Sequence, residues 1–134
     1  MSRKTLALGQ WGEQLAQETL EAQGLRVLAK NWHAGRQGEI DLVCESLPHK
    51  NQRRQIIFVE VKTRRGGQMG TALEAVSPAK CARMQRAGES YLSHYLAQYP
   101  ELRDDLDVRF DIVGIDWPPQ ATVPRVTHVA NALF

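Results

Sequence analysis

The sequence predicts an α/β domain with a mixed β-sheet, and three observations carry that prediction. Apolar residues recur at helical spacing in two separate stretches, about residues 5–23 and 78–99. Short apolar runs bounded by turn residues lie between and after them. The resulting order is helix, three strands, helix, one strand, with a further edge strand near the end, so helices and strands interleave in one unit. With 134 residues the chain is long enough for one cored domain and too short for two, so residues 1–134 are expected to form a single domain.

In the first helix Leu8, Gly12, Leu15, Ala16, Thr19 and Leu20 share a face, and Gly24 supplies a C-cap. Glu13 lies on the edge of that apolar face, at the rim of the core, where a carboxylate needs a partner. Arg26 to Trp32 and Glu39 to Glu45 read as two strands, joined by the turn-forming His33-Ala34-Gly35-Arg36-Gln37-Gly38. Ser46 to Gln55 reads as a long polar loop. Ile56 to Thr63 is the most apolar strand and is expected at the sheet centre. Arg64-Arg65-Gly66-Gly67 opens a basic loop after it. Ser77-Pro78 marks the start of the second helix, an N-cap serine before a first-turn proline, and Pro100 stops it. Val108 to Ile115 is the next strand. Arg125 to Asn131 is an edge strand beyond the turn Trp117-Pro118-Pro119.

Composition narrows the class. A hydrophobic fraction of 43% with 24% charged residues is that of an ordinary globular chain. The net charge of +2 neither demands nor excludes a nucleic-acid partner, because a basic face can be balanced elsewhere. Cys44 and Cys81 are too few for a disulfide framework or a zinc site and read as buried, reduced thiols. Thr5 to Trp11 is too short and polar for a signal core, and no apolar run approaches the roughly 20 residues of a membrane span. A cytoplasmic location is the expectation. His33, His49, His94 and His128 have no metal-ligand spacing, and no Ser-His-Asp or Cys-His signature is present.

The chemistry concentrates in two strands. In Phe58-Val59-Glu60-Val61-Lys62 the alternation of a strand puts Glu60 and Lys62 on one face. Asp41 sits in an equally apolar setting, between Ile40 and Leu42. A lone Glu-x-Lys is ordinarily a solvated face or a cross-strand ion pair. Two carboxylates and a lysine embedded in apolar strands are a more specific signal, because charges there are seldom buried without partners. Two close carboxylates repel, and a hard divalent cation such as Mg²⁺ or Mn²⁺ relieves them. Asp41, Glu60 and the main-chain carbonyl of Val61 are the expected metal ligands. Lys62 is placed to orient the attacking water or stabilise the transition state of a phosphodiester hydrolysis. Glu13 has two readings: it completes the site, or it complements the dipole at the start of its helix.

Basic residues form a second constellation. Arg64, Arg65, Lys80, Arg83 and Arg86 follow or flank the proposed site, Arg36 lies on a loop, and such residues suit phosphate contacts along a nucleic-acid backbone. Arg53-Arg54 reads as ordinary surface, and Trp11, Trp32 and Trp117 as packing. Asp111 alternates with Arg109, and a salt bridge there is as good a reading as metal support.

The ordered set Gly9, Gly12-Glu13, Ala16, Asn31, Gly38-Glu39-Ile40-Asp41-Leu42 and Phe58-Val59-Glu60-Val61-Lys62-Thr63-Arg64 resembles the small bacterial YraN-like proteins. Gly70, Glu74-Ala75-Val76, Lys80, Tyr91-Leu92, Arg109-Phe110-Asp111 and His128 to Phe134 extend the resemblance over nearly the whole chain. That family is similar to the PD-(D/E)xK nucleases, near the Holliday-junction resolvases. The resemblance implies a restriction-endonuclease-like three-layer α/β fold, with Glu13, Asp41, Glu60 and Lys62 in the metal-site roles. The expected function is metal-dependent endonucleolytic cleavage, on DNA ahead of RNA and at branched or structured substrates. Junction resolution would require a homodimer. The alternative is a nucleic-acid-binding module that keeps the fold without cutting.

Overall fold

The computed structural model describes residues 3–47, 53–65, 76–117 and 123–132. Helix α1 spans Arg3–Ala22, strand β1 Arg26–His33, β2 Glu39–Ser46 and β3 Arg54–Arg65. Helix α2 spans Pro78–Gln98, followed by β4 Leu106–Trp117 and β5 Arg125–Val129. The five strands lie in sequence order, with β3 at the centre as its apolar run predicts. All neighbours are antiparallel except β3 and β4, which run parallel and are linked by α2.

The helices cover opposite faces. Ala16 and Leu20 of α1 pack on Leu42, Cys44, Ile57, Val59, Val113 and Ile115. Met84, Ala87 and Tyr95 of α2 pack on Ile40, Val43, Ile56 and Phe58. Strand β3 therefore contributes alternate side chains to two cores, which explains its unbroken apolar run. The result is the three-layer α/β architecture expected of a restriction-endonuclease-like chain.

Local signals place the elements. Gly24, at φ +90°, lets the chain leave α1 through the hydrogen bonds Gly24 N–H to Glu21 O and Leu25 N–H to Leu20 O. The Ser77 hydroxyl accepts the Lys80 N–H at 3.1 Å, and Pro78 opens α2. Gly12 lets α1 approach the sheet: a Cβ there would overlap the Thr63 side chain. That contact sets the height of α1 above the residues that follow Glu60.

Three readings change. Arg64 and Arg65 belong to β3 rather than to a loop, because the parallel ladder with β4 runs on to Arg65 opposite Trp117. Cys44 is buried as expected, but Cys81 is only half-buried. Arg54 is no ordinary surface residue, since it sits 3.1 Å from the buried carboxylate of Glu45, which Arg26 also grips. Arg53 pairs with Asp107 at 3.2 Å. The middle of the polar loop (residues 48–52, with His49), Gly66-Gly67, Gly70, Glu74-Ala75, Pro118-Pro119 and Phe134 lie outside the described residues. No helix among the described residues is long and apolar enough to cross a membrane.

Candidate functional site

The site forms where β2 and β3 part. Their antiparallel ladder ends at Leu42 opposite Val59. One residue further on, the Asp41 carboxylate, rather than its main chain, receives the Val61 N–H at 2.8 Å. In an extended strand the N–H and C=O of one residue point the same way, so the Val61 carbonyl also faces the opening. Strand β3 continues past this fork because β4 still holds its other edge.

Glu60 stands beside Asp41 in the fork. It is 5% exposed, and its Oε2 atom is buried with no hydrogen-bond partner. Its other oxygen lies 3.4 Å from Lys80 Nζ, which reaches down from the first turn of α2. Burial first, and then the charge of Asp41, push the Glu60 carboxyl up to about 8, with Lys80 opposing them. Burial likewise raises Asp41, against the Val61 N–H, which lowers it. Such a pair exchanges protons as one unit.

Glu13 approaches from α1, on the opposite layer. It is half-buried, its Oε2 takes a long hydrogen bond of 3.4 Å from the Asn31 amide, and burial and the charge of Asp41 raise its pKa. Glu13 lies well inside α1, so complementing the dipole of the first turn is not its role. Asn31 adopts φ +48°, a left-handed conformation that asparagine tolerates better than most residues. Lys62, half-buried, follows Glu60 on the same face of β3 and makes no ion pair or hydrogen bond with a described residue.

The basic residues divide. Lys80 is the counter-ion of Glu60 and not simply an outward contact. Arg83, one turn on, is exposed and lines a pocket next to Lys80. Arg36 is exposed on the turn between β1 and β2. Arg64 is half-buried, and Arg65 stacks over Trp117, which in turn packs on Trp11 with ring centroids 4.9 Å apart.

Two other buried carboxylates, Asp111 and Glu45, are matched by cations. Asp111 takes two hydrogen bonds from Arg109 at 2.8 Å, one from the Asn131 N–H at 2.9 Å, and lies 2.7 Å from His128 Nε2. Its role is therefore the salt bridge. Glu45 has its two arginines. Asp41 and Glu60 have one half-exposed ammonium between them. Among the described residues no group of three His, Cys, Asp or Glu side chains is placed to hold a metal ion. The donors present are carboxylate oxygens and a carbonyl, the set that hard cations take together with water.

These features define a three-layer α/β protein with an under-neutralised carboxylate pair at a fork in its sheet. The chain belongs to the uncharacterised protein family UPF0102, whose sequence pattern matches residues 12–115. It is 38% identical over 125 residues to a UPF0102 protein of Syntrophomonas wolfei, covering 93% of this chain and 96% of the relative. A UPF0102 protein of Frankia alni is 39% identical over 126 residues, covering 94% and 93%. One from Nitrosococcus oceani is 40% identical over 107 residues, covering 80% and 77%.

Proposed function

We propose that this protein is a metal-dependent endonuclease that hydrolyses nucleic-acid phosphodiesters, with branched or structured DNA as its preferred substrate. The observation that supports it is the buried Glu60 Oε2, unpartnered beside a second buried carboxylate. A fold tolerates such an arrangement poorly unless something further neutralises it.

Mg²⁺ or Mn²⁺ fits the donors, with Asp41, Glu60 and the Val61 carbonyl as ligands and Glu13 reaching it through water. When bound, such an ion lowers the pKa of a coordinated water and neutralises a phosphate oxygen. The chain's own residues do the rest. The Val61 N–H fixes the Asp41 carboxylate through its Oδ2 atom. Lys62 directs an ammonium onto the same face as Glu60, where it holds the attacking water or meets charge developing on the phosphate. Lys80 offsets Glu60 in the metal-free state. Arg36, Arg64, Arg65 and Arg83, with Lys80, bear on the backbone of the substrate. A cytoplasmic protein acting as a homodimer on DNA is the setting that matches this reading.

One observation favours a second reading, a binding module that does not cut: the Lys80–Glu60 pair already gives Glu60 a partner. A cleavage assay with Mg²⁺ or Mn²⁺ decides between them, using duplex, single-stranded, flap, four-way-junction and RNA substrates beside Glu60→Ala. Metal-dependent products from the unaltered protein alone support the nuclease. Salt-sensitive binding without products on any substrate supports the module.

A further inference from the structure

A pocket of about 260 Å³ lies between the β1–β2 turn and the first turns of α2, next to the carboxylate pair. Its lining includes His33, Gly38, Glu39, Lys80, Arg83 and Met84. The turn packs against the helix there: Gly38, at φ +105°, lies where a Cβ would sit in ordinary contact, 3.5 Å from the Arg83 carbonyl oxygen. Ala34 N–H also closes the turn onto Gly38 O at 2.8 Å.

Among the described residues of the lining the carboxylate is Glu39, already 3.4 Å from His33 Nδ1. Lys80 finds its partner, Glu60, in the neighbouring site. Arg83 makes no ion pair or hydrogen bond with a described residue, which leaves its planar fork of donors without a partner among them. Buried Met84 contributes an apolar wall. A concave pocket that presents Arg83 beside Lys80 suits a compact anion.

We infer that the pocket binds the terminal phosphate of a nucleic-acid strand, with Arg83 as the principal donor and Lys80 and His33 beside it. The inference rests on the nucleic-acid reading above and adds a substrate feature to it, a phosphorylated end. A phosphomonoester carries between one and two negative charges at neutral pH, whereas a diester within the chain carries one, so Arg83, the cation here without a described carboxylate partner, favours the terminus. A terminus also enters a pocket without the strand having to continue through it. Lys80 belongs to both places, so an end held here lies within one side chain of Asp41 and Glu60. Cutting would then fall at a short, fixed distance from a phosphorylated end.

The test is metal-free binding by fluorescence anisotropy, with the full chain in EDTA. The probe is an internally labelled single-stranded DNA in three forms: 5′-phosphorylated, 3′-phosphorylated, and hydroxyl at both ends. One phosphorylated form is expected to bind about tenfold more tightly than the hydroxyl form, the scale of one good charge-assisted contact. Which form it is identifies the end. Arg83→Ala should bring that ratio close to one, and Arg83→Lys, which keeps the charge and loses the fork, should fall between. Arg36→Ala, on the exposed turn, should weaken all three forms alike and keep the ratio. Equal affinities for the three forms, or an unchanged ratio in Arg83→Ala, overturns the inference. Discrimination by a protein that cuts nothing supports the pocket and removes only the nuclease reading.

Discussion

Glu60→Gln removes one charge from the fork and keeps its shape, so it isolates what the ionised carboxylate costs the metal-free protein. In the fold this carboxyl titrates at about 8, against an ordinary 4.5. Between those values the folded state keeps a proton that the unfolded chain releases, so stability falls as pH rises. The loss begins near pH 4.5 and is complete above about pH 8. At about 1.4 kcal/mol per pH unit, the Glu60–Asp41 pair removes on the order of 4 kcal/mol between about pH 5 and about pH 8.5. Asp41 shifts in the same direction, and it remains in the variant. At about 4 °C per kcal/mol for a chain of this size, the Tm of Glu60→Gln should gain about 15 °C on the unaltered protein across that range. Circular-dichroism melts in EDTA at intervals of pH measure it directly. Parallel Tm curves for the two proteins would refute the reasoning, because burial would then not be penalising the charge of Glu60. Mg²⁺ added at pH 8 should raise the Tm of the unaltered protein and leave the variant nearly unmoved.

Three further outcomes follow from the same structure. Asp41→Ala strips the Val61 N–H of its acceptor, which should lower stability by about 1–3 kcal/mol, abolish metal-dependent cutting and largely spare DNA binding; products formed by this variant would move the site elsewhere. Gly12→Ala drives a methyl into Thr63 and should cost about 1–3 kcal/mol by urea denaturation, most of it recovered in the double variant with Thr63→Ala. Asp111→Ala leaves Arg109 and His128 facing a buried gap and should cost about 3–5 kcal/mol in the same assay, the largest loss among the three.

Much of the fold was legible in the sequence because its signals are local. The Ser77-Pro78 start, the Gly24 exit and the two-faced apolar run of β3 each act within a few residues. The carboxylate pair was legible for a related reason: strand alternation fixes faces, and charges among Ile, Val and Phe stand out. What escaped notice depends on distance along the chain. Lys80 meets Glu60 only because Met84, Ala87 and Gly88 seat α2 on the sheet, and Gly88 allows it so near that a Cβ would come within 2.9 Å of the Phe110 ring. Asn31 reaches Glu13 from another strand, and His128 and Asn131 reach Asp111 from the end of the chain. Glu45 at the end of β2 gave no sign that Arg26 and Arg54 would converge on it. Each of these is a pairing between separate elements, which residue spacing does not encode.

The parting of β2 and β3 gives this protein a built-in spectroscopic reporter. Elsewhere along the fork's shared edge, amide protons are held by main-chain carbonyls, whose charge does not change. The Val61 amide is held by a titrating carboxylate. Its proton resonance should therefore follow the ionisation of Asp41, and its hydrogen exchange should follow whether that carboxylate stays in place. A single peak in an ¹⁵N-labelled sample thus reads the state of the site during a pH, metal or DNA titration, with no probe introduced and no residue altered.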